Sequence, residues 1–291
     1  MTFQGVLTAL ITPFTSRGVD EPALRALVDA QIAGGVSGLV PCGTTGEAPT
    51  LDLEEHAEVI RITVDQAAGR VPVMAGIGSN DTRVAVLNAQ RAAEAGVAGV
   101  LATAPYYNKP TQEGLYRHFR AIAEATDVEV CVYNVPGRTS VNVLPATIAR
   151  LAEVDGITCV KEATGDLAVA SEILVRCGDR LALLSGDDFT TLPFVALGGV
   201  GCISVASNVV PDRMAALVAA ARAARLDEAR ALHLGLYPLF RVLFAETNPL
   251  PVKTALALMG RCEERFRLPL CEMSEEPRAR LAEELGRQGL R

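Results

Sequence analysis

The sequence predicts a (β/α)8 barrel of the TIM-barrel class with a C-terminal helical appendix. Three observations carry this. Eight short apolar runs alternate with helix-patterned stretches through residue 224. The runs are rich in Val and Ile and almost continuously apolar, as strands buried on both faces must be. None of them ends in a GxGxxG turn, which places a doubly wound sheet second. The length of 291 residues suits one barrel plus an extension, since such barrels run to about 250 residues as one domain.

The first run, VLTALITPF from Val6, leads to a helix over 20–33, where Glu21-Pro22 puts an acid and a proline in the first turn. GLVPCG from Gly38 precedes a helix over 51–68, opened by Thr50 or Asp52 with carboxylates following. VPVMAGIG from Val71 leads to a helix over 82–95 that stops at Gly96. GVLATAP from Gly99, VEVCVYNVP from Val128 and ITCVKEA from Ile157 precede helices over 112–125, 144–152 and 166–176. LALLSGDD from Leu181 and GCISVAS from Gly201 complete the series, with helices over 189–197 and 212–224. Three more helices fit 227–246, 251–259 and 276–287. The expected division is therefore a catalytic barrel over 1–224 and a helical appendix over 225–291 packed on it.

Composition narrows the function. Lys and Arg number 27 against 34 Asp and Glu, a net charge of −7 that repels phosphate backbones and anionic lipid. Nucleic acid and membrane partners are therefore not expected. The longest charge-free stretch, 189–211, is broken by Gly198, Gly199 and Gly201 and does not read as a spanning helix. The N-terminus lacks a basic region before its apolar run, so no signal peptide and a cytoplasmic location are expected. Seven cysteines without C-x-x-C spacing read as small buried thiols, and the three histidines, scattered over polar helical segments, form no metal-ligand spacing.

Function in such barrels collects at the C-terminal ends of the strands. Lys161 stands out there, one of only three lysines and the only one inside a predicted buried strand. Burying an ammonium is costly, so this amine is either poised as a nucleophile for a Schiff base or paired with Glu47 or Glu162. Lys109 reads as solvated and Lys253 as structural. The turn Gly43-Thr44-Thr45-Gly46-Glu47 offers backbone N–H groups between two glycines, either a cradle for a small carboxylate or a plain turn. Tyr106, Tyr107 and Tyr133 stand at strand ends, where a phenol fills space or relays protons. Arg138 follows a Pro-Gly turn, as a carboxylate grip or as a surface arginine.

TALITPF, GTTGEAPTL, PYYNKPTQEGLYRHF, YNVPGRTS, VKEATGDL, LLSGDD, GCISVASN and NPLPVK together span nearly the whole chain. Through them the sequence resembles the dihydrodipicolinate synthase family of class I, Schiff-base pyruvate aldolases. The resemblance implies that Lys161 forms an imine with pyruvate, whose carboxylate Thr44 and Thr45 hold. Tyr133, Thr44 and Tyr107 would relay protons, Tyr107 reaching across from a neighbouring subunit. Arg138 would take the carboxylate of aspartate β-semialdehyde, and Gly186 and the carbonyl of Ile203 would line the site. A homotetramer built as a dimer of dimers, no metal, no organic cofactor and the first committed step to diaminopimelate and lysine are further implications.

Two other readings stay open. An N-acetylneuraminate lyase or 2-keto-3-deoxy sugar-acid aldolase would keep Lys161, Tyr133 and the GTTGE turn, but such relatives generally lack an arginine at position 138. A barrel that binds a keto acid without turnover is the third. The resemblance also locates a feedback pocket for free lysine around 48–56, 80–84 and 106. Val84 stands where regulated members generally carry a glutamate, and Ala48 and Leu53 replace commonly polar residues, so weak feedback is expected.

Overall fold

Eight parallel strands surround the core of the computed structural model, which describes residues 2–291. They are β1 (Gly5–Ala9), β2 (Gly38–Val40), β3 (Met74–Gly76), β4 (Gly99–Thr103), β5 (Glu129–Asn134), β6 (Ile157–Glu162), β7 (Ala182–Ser185) and β8 (Gly201–Ser204). Except between β2 and β3, each pairs with its sequence neighbours, and β8 returns to β1 in the register Gly5–Gly201 to Thr8–Ser204. The ring closes between β2 and β3 through one bridge, Leu39–Val73, and two flanking bonds, Leu39 N to Pro72 O at 3.1 Å and Gly76 N to Pro41 O at 2.9 Å.

The helices between strands follow the sequence pattern: α1 (Glu21–Ala33), α2 (Leu53–Ala67), α3 (Thr82–Glu94), α4 (Gln112–Ala123), α5 (Pro145–Leu151), α6 (Leu167–Cys177), α7 (Thr191–Ala196) and α8 (Pro211–Arg222). Asp20, Asp52, Asp81, Thr111 and Asp166 cap five of them with side-chain oxygens, and Asp52 forms a full capping box with Glu55. Two starts differ from expectation because short 3₁₀ turns, Ala48–Thr50 and Asp188–Thr190, take the residues before α2 and α7. A two-residue hairpin, Phe14–Thr15 with Gly18–Val19, and a four-residue helix, Pro136–Thr139, were not expected. Both are too short to show a period.

Strand alternation divides the core. Leu7, Met74, Leu101, Cys131, Cys159 and Leu184 fill the barrel interior, whereas Val6, Val100, Val130, Val132 and Val160 face the helices. Lys161 follows Cys159 by two and therefore points inward; Glu162 points outward. His56 and His118 are buried on the inner faces of α2 and α4 rather than spread over polar surface, and burial lowers the pKa of both.

Residues 225–291 carry α9 (Leu226–Leu243), α10 (Leu250–Leu258) and α11 (Glu275–Arg287). α9 packs on α8, and α11 on both α9 and α10. Among the described residues no helix is long and apolar enough to cross a membrane.

Candidate active site

A cavity of about 310 Å³ opens at the C-terminal ends of the strands. Its wall includes Thr44, Thr45, Tyr133, Arg138, Lys161 and Gly186, six of the eight expected site residues. Lys161 is 6% exposed, and its Nζ lies 4.1 Å from the ring centroid of Tyr133, its register partner on the next strand. Both carboxylates that might have neutralised it are engaged elsewhere. Glu47 pairs with Lys253, and Glu162 accepts from Asn134 Nδ2 at 2.9 Å and from the Thr164 backbone N–H at 2.5 Å. Lys161 is thus a buried amine with no ion-pair partner among the described residues, and neither pairing that the sequence allowed it, with Glu47 or with Glu162, is formed.

Gly186, just past β7, is required by its neighbours on β6 and beyond: a Cβ there would stand 2.7 Å from the Ala163 Cβ and 3.1 Å from Lys161 Cε, so the chain passes over the lysine most easily as glycine. The GTTGE turn is held from both sides. Cys42 and Glu47 flank it with φ of 55° each, a left-handed conformation that costs of order 1–3 kcal/mol and needs support. Support comes from Thr12, whose hydroxyl donates to Gly46 O at 2.7 Å, and from the buried bond between Glu47 and Lys253. Lys253 is structural, as expected, and burial lowers its pKa against the opposing pull of Glu47.

Arg138 sits at the rim on the four-residue helix, with no carboxylate within ion-pair distance among the described residues. One of its nitrogens, Nη2, donates to Asn248 O at 3.0 Å. The remaining guanidinium donors are available to a ligand. Asp188, behind the cavity, ties β7 to β8 by accepting from the Ser204 hydroxyl at 2.6 Å and from the Val205 and Ala206 backbone N–H groups at 3.1 and 2.9 Å.

Two expected residues lie apart. Tyr107 is 87% exposed at a φ of 71° and lines no part of the cavity within one chain. Ile203 is packed in the barrel interior, and Val205, just past the end of its strand, contributes to the wall. Conversely, Asn248 and Phe244 reach the cavity from the C-terminal region. Only the NPLPVK segment hinted at Asn248; a contact to Thr45 across 203 residues has no signature in local spacing.

Over residues 2–288 the chain matches the model of the dihydrodipicolinate synthetase family. It belongs to that family. The 4-hydroxy-tetrahydrodipicolinate synthase of Pelobacter propionicus is 54% identical over 288 residues, 99% of each chain. The solved dihydrodipicolinate synthase of Aquifex aeolicus superposes with a TM-score of 0.98 at 47% identity over 99% of each chain. That of Cyanidioschyzon merolae, solved with lysine bound, is 36% identical with a TM-score of 0.97, covering 100% of this chain and 99% of that one. Family membership and full-length relatives named 4-hydroxy-tetrahydrodipicolinate synthase make this chain a lyase of that kind rather than a keto-acid-binding barrel.

Proposed function

We propose that this chain condenses pyruvate with aspartate β-semialdehyde through an imine on Lys161, yielding 4-hydroxy-tetrahydrodipicolinate. The observation that carries the reading is the unpaired, buried amine of Lys161, set against Tyr133 in a cavity whose rim holds an unpaired arginine. In its neutral form Nζ attacks the ketone carbon of pyruvate, and the ketone oxygen leaves as water to give a protonated imine. That cation draws electrons from the methyl group, which loses a proton to become an enamine. The enamine carbon bonds to the aldehyde carbon, and the aldehyde oxygen takes a proton. The amino group of the joined product then attacks the imine carbon, the six-membered ring closes and the Lys161 amine is expelled. Proximity favours this last step.

In this scheme the Thr44–Thr45 turn holds the pyruvate carboxylate and Arg138 that of the semialdehyde. Tyr133 and Thr44 pass protons together with Tyr107 of a neighbouring subunit, and Ile203, whose side chain packs in the barrel interior, offers the site only its backbone carbonyl. The bare exposure of Tyr107 supports an assembly in which a partner covers it, and a homotetramer in the cytoplasm is the state proposed. Residues 1–224 act as the catalytic barrel, and 225–291 as an appendix that braces it.

A coupled assay with pyruvate and aspartate β-semialdehyde, run beside a panel of sugar-acid aldols, tests the reading. Turnover of the first pair alone supports it. Cleavage of a sugar acid with no turnover of the semialdehyde overturns it in favour of an aldolase on the same barrel.

A further inference from the structure

Asn248 joins the two halves of the cavity. Its Nδ2 donates to the Thr45 hydroxyl at 3.0 Å, and its backbone oxygen accepts from Arg138 Nη2 at 3.0 Å. One residue of the C-terminal region therefore touches both the turn proposed for the first carboxylate and the arginine proposed for the second. Neither of those groups has another strong tether. The Thr45 hydroxyl has no other polar partner among the described residues, and Arg138 has no ion pair.

Only half of the amide is satisfied by the fold. Asn248 is 7% exposed, and its Oδ1 is shut off from water with no hydrogen-bond partner. Buried polar side-chain atoms are nearly always satisfied, and an orphan weakens the fold. An apolar side chain of similar size would remove that orphan and strand the buried Thr45 hydroxyl instead, so the exchange is close to neutral for the fold. A half-satisfied residue that bridges two substrate-binding groups is the pattern expected where position is what matters.

We infer that Asn248 is a positioning residue that sets the spacing between Thr45 and Arg138, and so between the carboxylates of the two substrates. The inference rests on the reaction proposed above. Its consequence is a coupling across the site: a change at Thr45 is felt at Arg138 although the two do not touch the same substrate.

The test uses the enzyme as it is and four variants: Asn248→Leu, Thr45→Val, Arg138→Ala and the double Thr45→Val/Arg138→Ala. Asn248→Leu should change the melting temperature little, because it removes the orphaned Oδ1 but leaves the buried Thr45 hydroxyl without its partner. The same variant should raise KM for pyruvate and for the semialdehyde at least fivefold each, with kcat changed less than threefold. Thr45→Val should also raise KM for the semialdehyde, and that rise should vanish when Arg138 is already Ala. If Thr45→Val alters pyruvate use alone, or if Asn248→Leu lowers the melting temperature and leaves both KM values in place, the positioning role is overturned. The pyruvate arm can be read by borohydride trapping without the second substrate. Wild-type enzyme that traps pyruvate but never turns over the semialdehyde would sink the reaction itself, a result separate from the variant pattern.

Discussion

Lys253 donates to Glu47, 206 residues earlier in the chain, in an ion pair from which water is wholly excluded. The ammonium also donates to Arg265 O at 2.9 Å and lies 4.2 Å from the ring centroid of Phe14, while Glu47 Oε2 accepts from the Arg267 backbone N–H at 3.2 Å. Glu47 closes the GTTGE turn, so this pair fastens the C-terminal helices to the part of the site that would grip pyruvate. Lys253→Met would strand a buried carboxylate, a loss of about 3–5 kcal/mol. The double variant Glu47→Gln/Lys253→Met should lie closer to wild type than Lys253→Met alone. Urea unfolding measures both; a single-variant loss below about 1 kcal/mol would show that water enters the pair freely.

Covalent trapping addresses the amine. Borohydride added with pyruvate should fix an adduct on Lys161 and on neither Lys109 nor Lys253, read by peptide mass spectrometry. Lys161→Ala should abolish both the adduct and turnover. Lys253 is the informative control, because it is more deeply buried than Lys161 but already paired. An adduct there would refute the assignment.

Arg138 separates the two substrates. Arg138→Ala should leave imine trapping nearly intact and cut kcat/KM for aspartate β-semialdehyde by the equivalent of about 2–3 kcal/mol, on the order of a hundredfold. Equal loss in both assays would mean that the arginine supports the fold of the rim instead.

Acid sensitivity should trace partly to His118. Its Nδ1 lies 2.9 Å from the Thr82 hydroxyl, its Nε2 is buried without a partner, and its ring meets Phe119 edge to face. Burial lowers its pKa from 6.5 to about 4. Between those values the unfolded chain holds a proton that the folded chain refuses, so stability falls as pH drops through the window. Asp188 acts in the opposite sense, because burial raises its carboxyl from 3.8 to about 6 and the folded form then holds the extra proton. The comparison must therefore be wild type against His118→Gln, with Asp188 common to both. Between pH 7 and pH 5 wild type should lose about 2 kcal/mol more than the variant. Parallel curves would clear His118 of the effect.

What the sequence disclosed follows range. β5 and β6 were legible because four consecutive apolar or β-branched residues, Val130–Tyr133 and Ile157–Val160, leave no helical period, and Lys161 was conspicuous as the one charge before the strand's end. Resemblance added roles that no local pattern contains. Glu47 was visible as a possible partner of Lys161, but its true partner lies in the last quarter of the chain. The same distance hid Asn248 beside Thr45. The helix Pro136–Thr139 is one turn long and is fixed by Val135 carbonyl bonds, so Arg138 read as part of a turn. Tyr107 is visible in the sequence as a phenol at a strand end, but its reach into a neighbouring subunit is implied only by the resemblance, and a single chain leaves it in solvent.

The last expectation concerns feedback by free lysine. A second cavity, of about 580 Å³, adjoins the first and shares Thr44 and Arg138 with it. Its wall includes Ala48, Leu51, Leu53, His56, Val84 and Tyr106, the segments where the family resemblance locates the regulatory pocket. Lysine carries two ammonium groups and one carboxylate, so such a pocket must supply acceptors for both cations. The nearby acids are already committed. Asp52 Oδ1 caps α2 at 2.9 and 2.8 Å from the N–H groups of Glu54 and Glu55; Asp81 pairs with Arg83 at 2.9 Å; Glu54 stands 3.7 Å from Arg91. His56 bonds Gly76 O at 2.8 Å, and burial, more than the nearby Arg91, holds its pKa down, so it adds no anion. An ammonium brought against Val84 would lose water without gaining a counter-charge, a penalty of about 3 kcal/mol or a hundredfold in affinity. Initial rates at saturating pyruvate should therefore stay flat through submillimolar L-lysine. Val84→Glu should introduce inhibition, since it returns a carboxylate to the wall. Strong inhibition of the wild-type enzyme at submillimolar lysine would mean that Asp52 or Glu54 turns from its present partner to meet the ligand, and the reading of Val84 would fail.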